Sequence, residues 1–211
     1  MMDAFDFDAL TPAQRYKLLT AVVLPRPVAW VTTQNAQGIV NAAPYSFFNV
    51  FGQDPALVIL GLEHRVDGTP KDTTLNIRAT GEFVVNIATP ALSEVMVATA
   101  ASYPGDVSEA AALGLSLAPS RRVAPPRLAE VPVAIECKLL DRLTYSPERD
   151  IVVGRAVGLA AQTGLIDEET YRVDWQGDYP VARLFADKYA RLEEIAPRSI
   201  PQLSDMKEKT S

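Results

Sequence analysis

Apolar positions along this chain fall into short runs, not helical stripes. Pro27–Thr33 (PVAWVTT), Ile39–Phe47 (IVNAAPYSF), Ala56–Leu62 (ALVILGL) and Glu82–Ala88 (EFVVNIA) are rich in β-branched and aromatic residues, and each reads as a strand. Turn signals separate them: NAQG at Asn35–Gly38 marks a hairpin, and Gly52–Pro55 marks a break. Two longer runs, Val131–Tyr145 and Asp150–Gln162, read as strands paired around Ser146–Arg149.

Helices are few and short. Thr11 and Pro12 predict a helix start, with the helix running to about Leu19. Asp72 is expected to cap a helix through about Ala79, with Gly81 as its stop. Pro90 opens a third over ALSEVMVATAA. The Pro-, Gly-, Ser- and Ala-rich excursion from Ser102 to Pro126 carries one helical turn near Glu109–Leu113. The tail PVARLFADKYARLEEI reads as partly helical, and Ile200–Ser211 as frayed. Some six strands joined mostly by short turns argue for antiparallel pairing and against a doubly wound sheet. The expected class is mainly β, a closed or nearly closed barrel with peripheral helices. The 211 residues read as one domain, with an N-terminal helix at 11–19, a barrel over about 25–165 and an extension over 166–211.

Composition narrows the function. Hydrophobic residues make up 48% of the chain, enough to build a core. The net charge of −6, without a basic run, argues against a nucleic-acid partner. No apolar run approaches a bilayer span and the N-terminus lacks a signal-peptide pattern, so the expectation is a cytoplasmic protein without a membrane partner. Cys137 is the sole cysteine and His64 the sole histidine. That inventory rules out a Cys/His metal site, and neither a nucleophile elbow, a Walker A loop nor a G-x-G-x-x-G fingerprint is present. An enzyme built this way would leave the difficult chemistry to an organic cofactor.

Two stretches carry candidate chemistry. HRVDGTPKDTTLNI (His64–Ile77) sets Thr69, Lys71, Asp72, Thr73 and Thr74 at the start of a helix, where a cation, hydroxyls and free N–H groups suit a phosphate. A solvated loop with a capped helix accounts for the same residues, and spacing alone leaves both readings open. VNAAPYSFFNVFGQDP (Val40–Pro55) offers small residues, including Ala43, for the approach of a flat group, with Phe47, Phe48 and Phe51 as an apolar wall.

These stretches, in this order, resemble the flavin reductase-like family, the FMN-binding split barrel. The segments that match are PRPVAWVTT, VNAAPYSFFNVFGQDPALVIL and DGTPKDTTLNIRATGEFVVNIA, with weaker likeness through VVGRAVGL and PVARL. The resemblance implies a Greek-key split β-barrel that forms a homodimer and binds FMN, with FAD as the alternative. It places Ser46, Phe47, Phe48 and Asn49 along the flavin, Lys71, Asp72 and Thr73 at its phosphate, and Thr32, Thr33, Ala43 and Arg26 as further contacts. It also implies hydride transfer from NADH or NADPH to the flavin, with electrons passed onward, a partner monooxygenase among the candidate acceptors. His64 could assist nicotinamide binding, although a lone histidine more often packs. A non-catalytic FMN carrier or sensor has the same motifs. One departure from the family pattern is Arg183-Leu184-Phe185-Ala186, where glycines are common after Arg-Leu.

Overall fold

The apolar runs assemble into one antiparallel sheet whose two edges are consecutive in the chain. The computed structural model describes residues 2–202. After helix α1 (Pro12–Val22), the chain passes through β1 (Arg26–Pro27), β2 (Ala29–Gln34), β3 (Val40–Tyr45), β4 (Phe48–Gln53) and β5 (Ala56–Glu63) to helix α2 (Asp72–Thr80). Next come β6 (Glu82–Ile87), the short helices α3 (Ser93–Ala98) and α4 (Glu109–Ala112), and the strand pair β7 (Leu117–Ala118) and β8 (Arg127–Leu128). The long hairpin β9 (Val133–Ser146) and β10 (Arg149–Ala161) precedes β11 (Ala182–Arg183) and β12 (Tyr189–Ala190). The seven-stranded sheet runs β3-β2-β6-β9-β10-β5-β4, so β3 and β4 form its edges. Ser46 and Phe47 carry the chain from one edge to the other, and Phe47 O accepts from Gly61 N of β5 at 2.7 Å. The sheet therefore curls on itself into a split barrel, closed at this corner but not zipped along its length.

Both faces of the central strands are buried, which is why their sequences read as unbroken apolar runs. Ala29, Val31, Val58, Leu60, Leu62, Phe83, Val85, Cys137 and Val152 fill one side with Ile77 of α2. Trp30, Val84, Met96, Ala110, Val123 and Leu128 pack on the other, under α3, α4 and the excursion. Register shifts in the β9–β10 ladder at Val153/Gly154 and Ala156/Gly158 bend the hairpin around this core. Burial pushes the Cys137 thiol up to about 12, so it behaves as a core residue.

Three expectations need correction. The Phe-rich segment after the corner is itself a strand, β4, which makes seven strands in the main sheet. The tail is not helical: β11 pairs with β1 and β12, and Arg26 Nη2 donates to Leu184 O at 2.9 Å, so tertiary pairing overrides local propensity. α1 continues past Leu19 to Val22 before Pro25. The expected fraying of Ile200–Ser211 falls, for residues 203–211, outside the described residues. Phe185 and Ala186 sit in the β11–β12 turn, where Ala186 takes the left-handed conformation (φ +58) that glycine adopts without strain.

Gly154 is where the barrel is tightest. A Cβ there would collide with the Phe83 ring and lie 3.2 Å from Val58 Cγ2. Gly154→Ala should lower stability by about 1–3 kcal/mol, the usual cost of overpacking, read as a lower urea midpoint at unchanged m-value.

Candidate functional site

Helix α2 starts against the usual preferences of helix ends. A capping Ser, Thr, Asp or Asn normally takes up one of the free backbone N–H groups of the first turn. Here the capping position is Lys71, and no side chain caps the turn. Asp72, expected to be the cap, is instead the first helical residue, and its carboxylate accepts from Arg65 Nη2 at 2.9 Å. The first bond of the helical ladder runs from Leu75 N to Lys71 O (3.0 Å), which leaves the N–H groups of Asp72, Thr73 and Thr74 ahead of it. A lysine beside the positive end of the helix dipole is unfavourable by itself.

This open turn faces a cavity of about 140 Å³. Its walls are Asn41 and Ala43–Tyr45 of β3, Arg65 and Lys71 from the preceding loop, Thr99–Tyr103 after α3, and Glu109 of α4. Each wall is held by a buried polar side chain. Trp30 Nε1 donates to Thr99 Oγ1 (3.0 Å), fixing the end of α3. Asn76 Nδ2 donates to Thr33 Oγ1 (3.0 Å), tying α2 to β2. The Asn41 amide lies 2.8 Å from Thr73 Oγ1, tying α2 to β3. Ala42 N, an edge-strand donor, bonds Glu109 Oε2 at 2.9 Å. At the far end of α2, Arg78 grips Asp150 through Nε (2.9 Å) and Nη2 (3.0 Å). Asp150 is fully buried and also meets Thr144 Oγ1 (3.2 Å) and Arg142 (3.4 Å).

The electrostatics of the cavity are unusual in two places. The buried Tyr45 hydroxyl makes no hydrogen bond of normal geometry, and the Thr73 hydroxyl, bonded to Asn41, is its polar neighbour. Burial pushes the Tyr45 phenol up to about 12, so it is a donor at neutral pH. Thr74 Oγ1, one residue on and outside the cavity lining, is also buried without a partner. Such orphaned hydroxyls cost about 1–3 kcal/mol each. Burial also raises the Glu109 carboxyl, the Ala42 N–H pulls it partly back, and nearby Asp72 adds to the rise.

The candidate residues divide by place. Ala43, Lys71, Asp72 and Thr73 come together in the cavity. Ser46, Phe47, Phe48 and Asn49 lie on the next corner of the same chain segment, where Phe47 stacks on Tyr16 (5.9 Å) beneath Arg149 (4.2 Å). Thr32 and Thr33 are buried, their hydroxyls spent on Pro126 O (2.6 Å) and Asn76. Arg26 anchors Thr20 O (2.5 Å) and Leu184 O, with Ser46 Oγ at 3.4 Å. His64 does not line the cavity: Nδ1 donates to Pro147 O (2.8 Å), and Nε2 faces Asp150 Oδ1 at 3.5 Å. Thr69 gives its hydroxyl to Asp67 (2.6 Å) within the loop. Tyr45, Arg65 and Glu109 were not candidates from the sequence, yet all three line the cavity.

The model of the flavin reductase like domain matches residues 21–183. The chain belongs to the flavin reductase-like family. A curated relative from Deinococcus radiodurans, an uncharacterized protein, is 43% identical over 175 residues, 81% of this chain and 77% of that one. The 2-nitrobenzoate 2-nitroreductase NbaA of Pseudomonas fluorescens is 37% identical and superposes with a TM-score of 0.86, covering 95% of this chain and 98% of its own. Nitrilotriacetate monooxygenase component B from Bacillus cereus is 32% identical with a TM-score of 0.87, covering 94% and 99%. The family supports a flavin-related oxidoreductase role, and its cofactor is a flavin. The residues present fit that group's anionic end, since an uncapped helix start, a lysine and the unpartnered Tyr45 hydroxyl are the donors an anion requires. Among the described residues, no helix is long and apolar enough to cross a membrane, and no group of His, Cys, Asp or Glu is arranged for a metal ion.

Asp150 is the fixed point behind the cavity, because it joins α2 to the β9–β10 hairpin. Asp150→Ala should destabilise the protein by about 2–3 kcal/mol in urea unfolding, below the full cost of breaking a buried pair because Arg78 and Arg142 reach solvent.

Proposed function

We propose that the cavity at the start of α2 holds the phosphate of FMN, and that the chain is an oxidoreductase reduced by NADH or NADPH. The observation that carries this reading is the helix start itself: Lys71 stands at the uncapped position, beside a buried Tyr45 hydroxyl that has no partner. A phosphate supplies the acceptors that the first-turn N–H groups and the Tyr45 hydroxyl lack, and places a negative charge at the helix start beside Lys71. A cavity of about 140 Å³ suits a phosphate and not a three-ring system. Ser46–Asn49 at the β3–β4 corner are proposed to hold the rest of the molecule, with Ala43 and Pro44 between the two. Bound flavin supplies the hydride acceptor and the onward electron transfer; the protein supplies binding, orientation and exclusion of water.

The same corner favours a homodimer. On edge strand β4, Val50 and Phe51 are 64% and 63% exposed, directly after Asn49. An unpaired apolar strand edge is stabilised by a second copy, which would also cover the flavin corner. Component B is named as part of a monooxygenase, and a partner monooxygenase is the proposed electron acceptor.

The test is anaerobic reduction of the FMN-loaded protein. Loss of the flavin absorbance on adding NADH or NADPH supports the reductase; a spectrum unchanged by both contradicts it. Lys71→Ala should weaken FMN binding by about 1.5–3 kcal/mol, the worth of a charged hydrogen bond, measured by flavin fluorescence.

A further inference from the structure

Beside the phosphate cavity lies a second cavity of about 170 Å³, and Asn41, Asp72 and Glu109 form the wall that both share. Asn41 and Glu109 make a hydrogen-bonded chain that ends on Thr73. One end of the Asn41 amide lies 2.8 Å from Thr73 Oγ1, and the other lies 3.1 Å from Glu109 Oε1. Glu109 is 6% exposed, and its Oε2 is already held by Ala42 N. An amide has one donor end and one acceptor end, so its orientation sets the sense of the whole chain.

With Glu109 ionised, Oε1 can only accept. Asn41 must then turn its NH₂ toward Glu109, and its oxygen accepts from Thr73 Oγ1–H (2.8 Å) and from Ala42 N (3.2 Å). The Thr73 proton is spent on Asn41, and lone pairs are left for the cavity. With Glu109 protonated, its O–H donates to the amide oxygen, the NH₂ donates to Thr73 Oγ1, and the Thr73 proton is free to donate into the cavity. Only the second arrangement makes the Thr73 hydroxyl a donor to an anion.

We propose that Glu109 is a positioning residue of the phosphate cavity: acting through Asn41, it sets whether Thr73 donates or accepts there, so that an anion binds together with one proton. This rests on the reading that the cavity takes a phosphate. Charges of both signs surround Glu109. Asp72 at the start of α2 favours its protonated form, as burial does. Arg65 is paired with Asp72, and Lys71 lies 3.7 Å from Glu63. Tyr45 and Tyr103 complete the ring of titratable groups on the cavity wall, and burial keeps the Tyr45 phenol neutral. An incoming anion adds negative charge, so Glu109 takes up a proton and does not release one. Affinity for the anion must then fall as pH rises through the carboxyl's bound-state pKa, up to roughly tenfold per pH unit for one linked proton.

The experiment is calorimetric titration of the full chain with FMN near neutral pH, in two buffers of different ionisation enthalpy, which counts the protons exchanged. The phosphate's own titration is common to every variant and cancels in differences. Wild type is expected to take up more protons than Glu109→Gln, the difference approaching one. The new side-chain amide of the Glu109→Gln variant would donate permanently to Asn41, so this variant still binds FMN, with a flatter pH dependence. Asn41→Ala, checked for folding by circular dichroism, leaves Glu109 in place but cuts the relay, and the extra uptake should vanish. Equal proton counts in wild type and Glu109→Gln overturn the proposal, as does persistence of the extra uptake in Asn41→Ala. Failure of wild type to bind FMN at all overturns the phosphate reading and this inference with it, whereas binding without a proton difference overturns the inference alone.

Discussion

A helix that is fastened at one end and left open at the other organises this molecule. At its C-terminal end, the Arg78–Asp150 pair locks α2 to the β9–β10 hairpin inside the barrel wall. Along its length, Asn76 and Thr73 tie it to β2 and β3. At its N-terminal end, the side chain that would satisfy the first turn is missing, and Lys71 stands where it should be. The missing cap falls where the helix meets the cavity, which is the pattern expected of a binding site and not of a stability element. Gly81, left-handed at φ +70, ends the helix in the ordinary way.

The barrel makes that arrangement rigid. Because both faces of the central strands are buried, side chains from β2 and β3 reach α2 from below while Trp30 holds the end of α3 from the opposite side. The cavity walls thus come from four separate parts of the chain, and the backbone donors of the first turn are in place before any ligand arrives. Preorganisation of this kind lowers the ordering cost of binding. Its counterpart is a folded state that carries unpartnered hydroxyls on Tyr45 and Thr74.

Much of this was legible in the sequence because it is local. Six of the seven main strands follow from apolar runs and turn residues, and Lys71, Asp72 and Thr73 are neighbours at one helix start. The flavin reductase-like pattern by itself implies the barrel. What was not legible depends on long-range contact. β4 was hidden because Phe48–Gln53 is largely exposed, without an alternating face. The two short strands of the tail exist only because β1 and Arg26 meet them. Tyr45 read as one more strand residue, and Glu109 as part of a turn in a featureless excursion; only the fold brings them to the phosphate loop, although they stand 64 residues apart in sequence. The hydroxyls of Thr32 and Thr33 looked available, and internal hydrogen bonds consume them.

The central claim is that α2 opens onto a phosphate. It is tested most directly by comparing FMN with riboflavin, which has the same ring and ribityl chain but no phosphate, in equilibrium binding by flavin fluorescence. The account predicts that FMN binds at least about a hundredfold more tightly, some 2.7 kcal/mol, because riboflavin leaves Lys71 and the first-turn N–H groups unmatched. Equal affinities would contradict it and would return the start of α2 to an ordinary solvated turn.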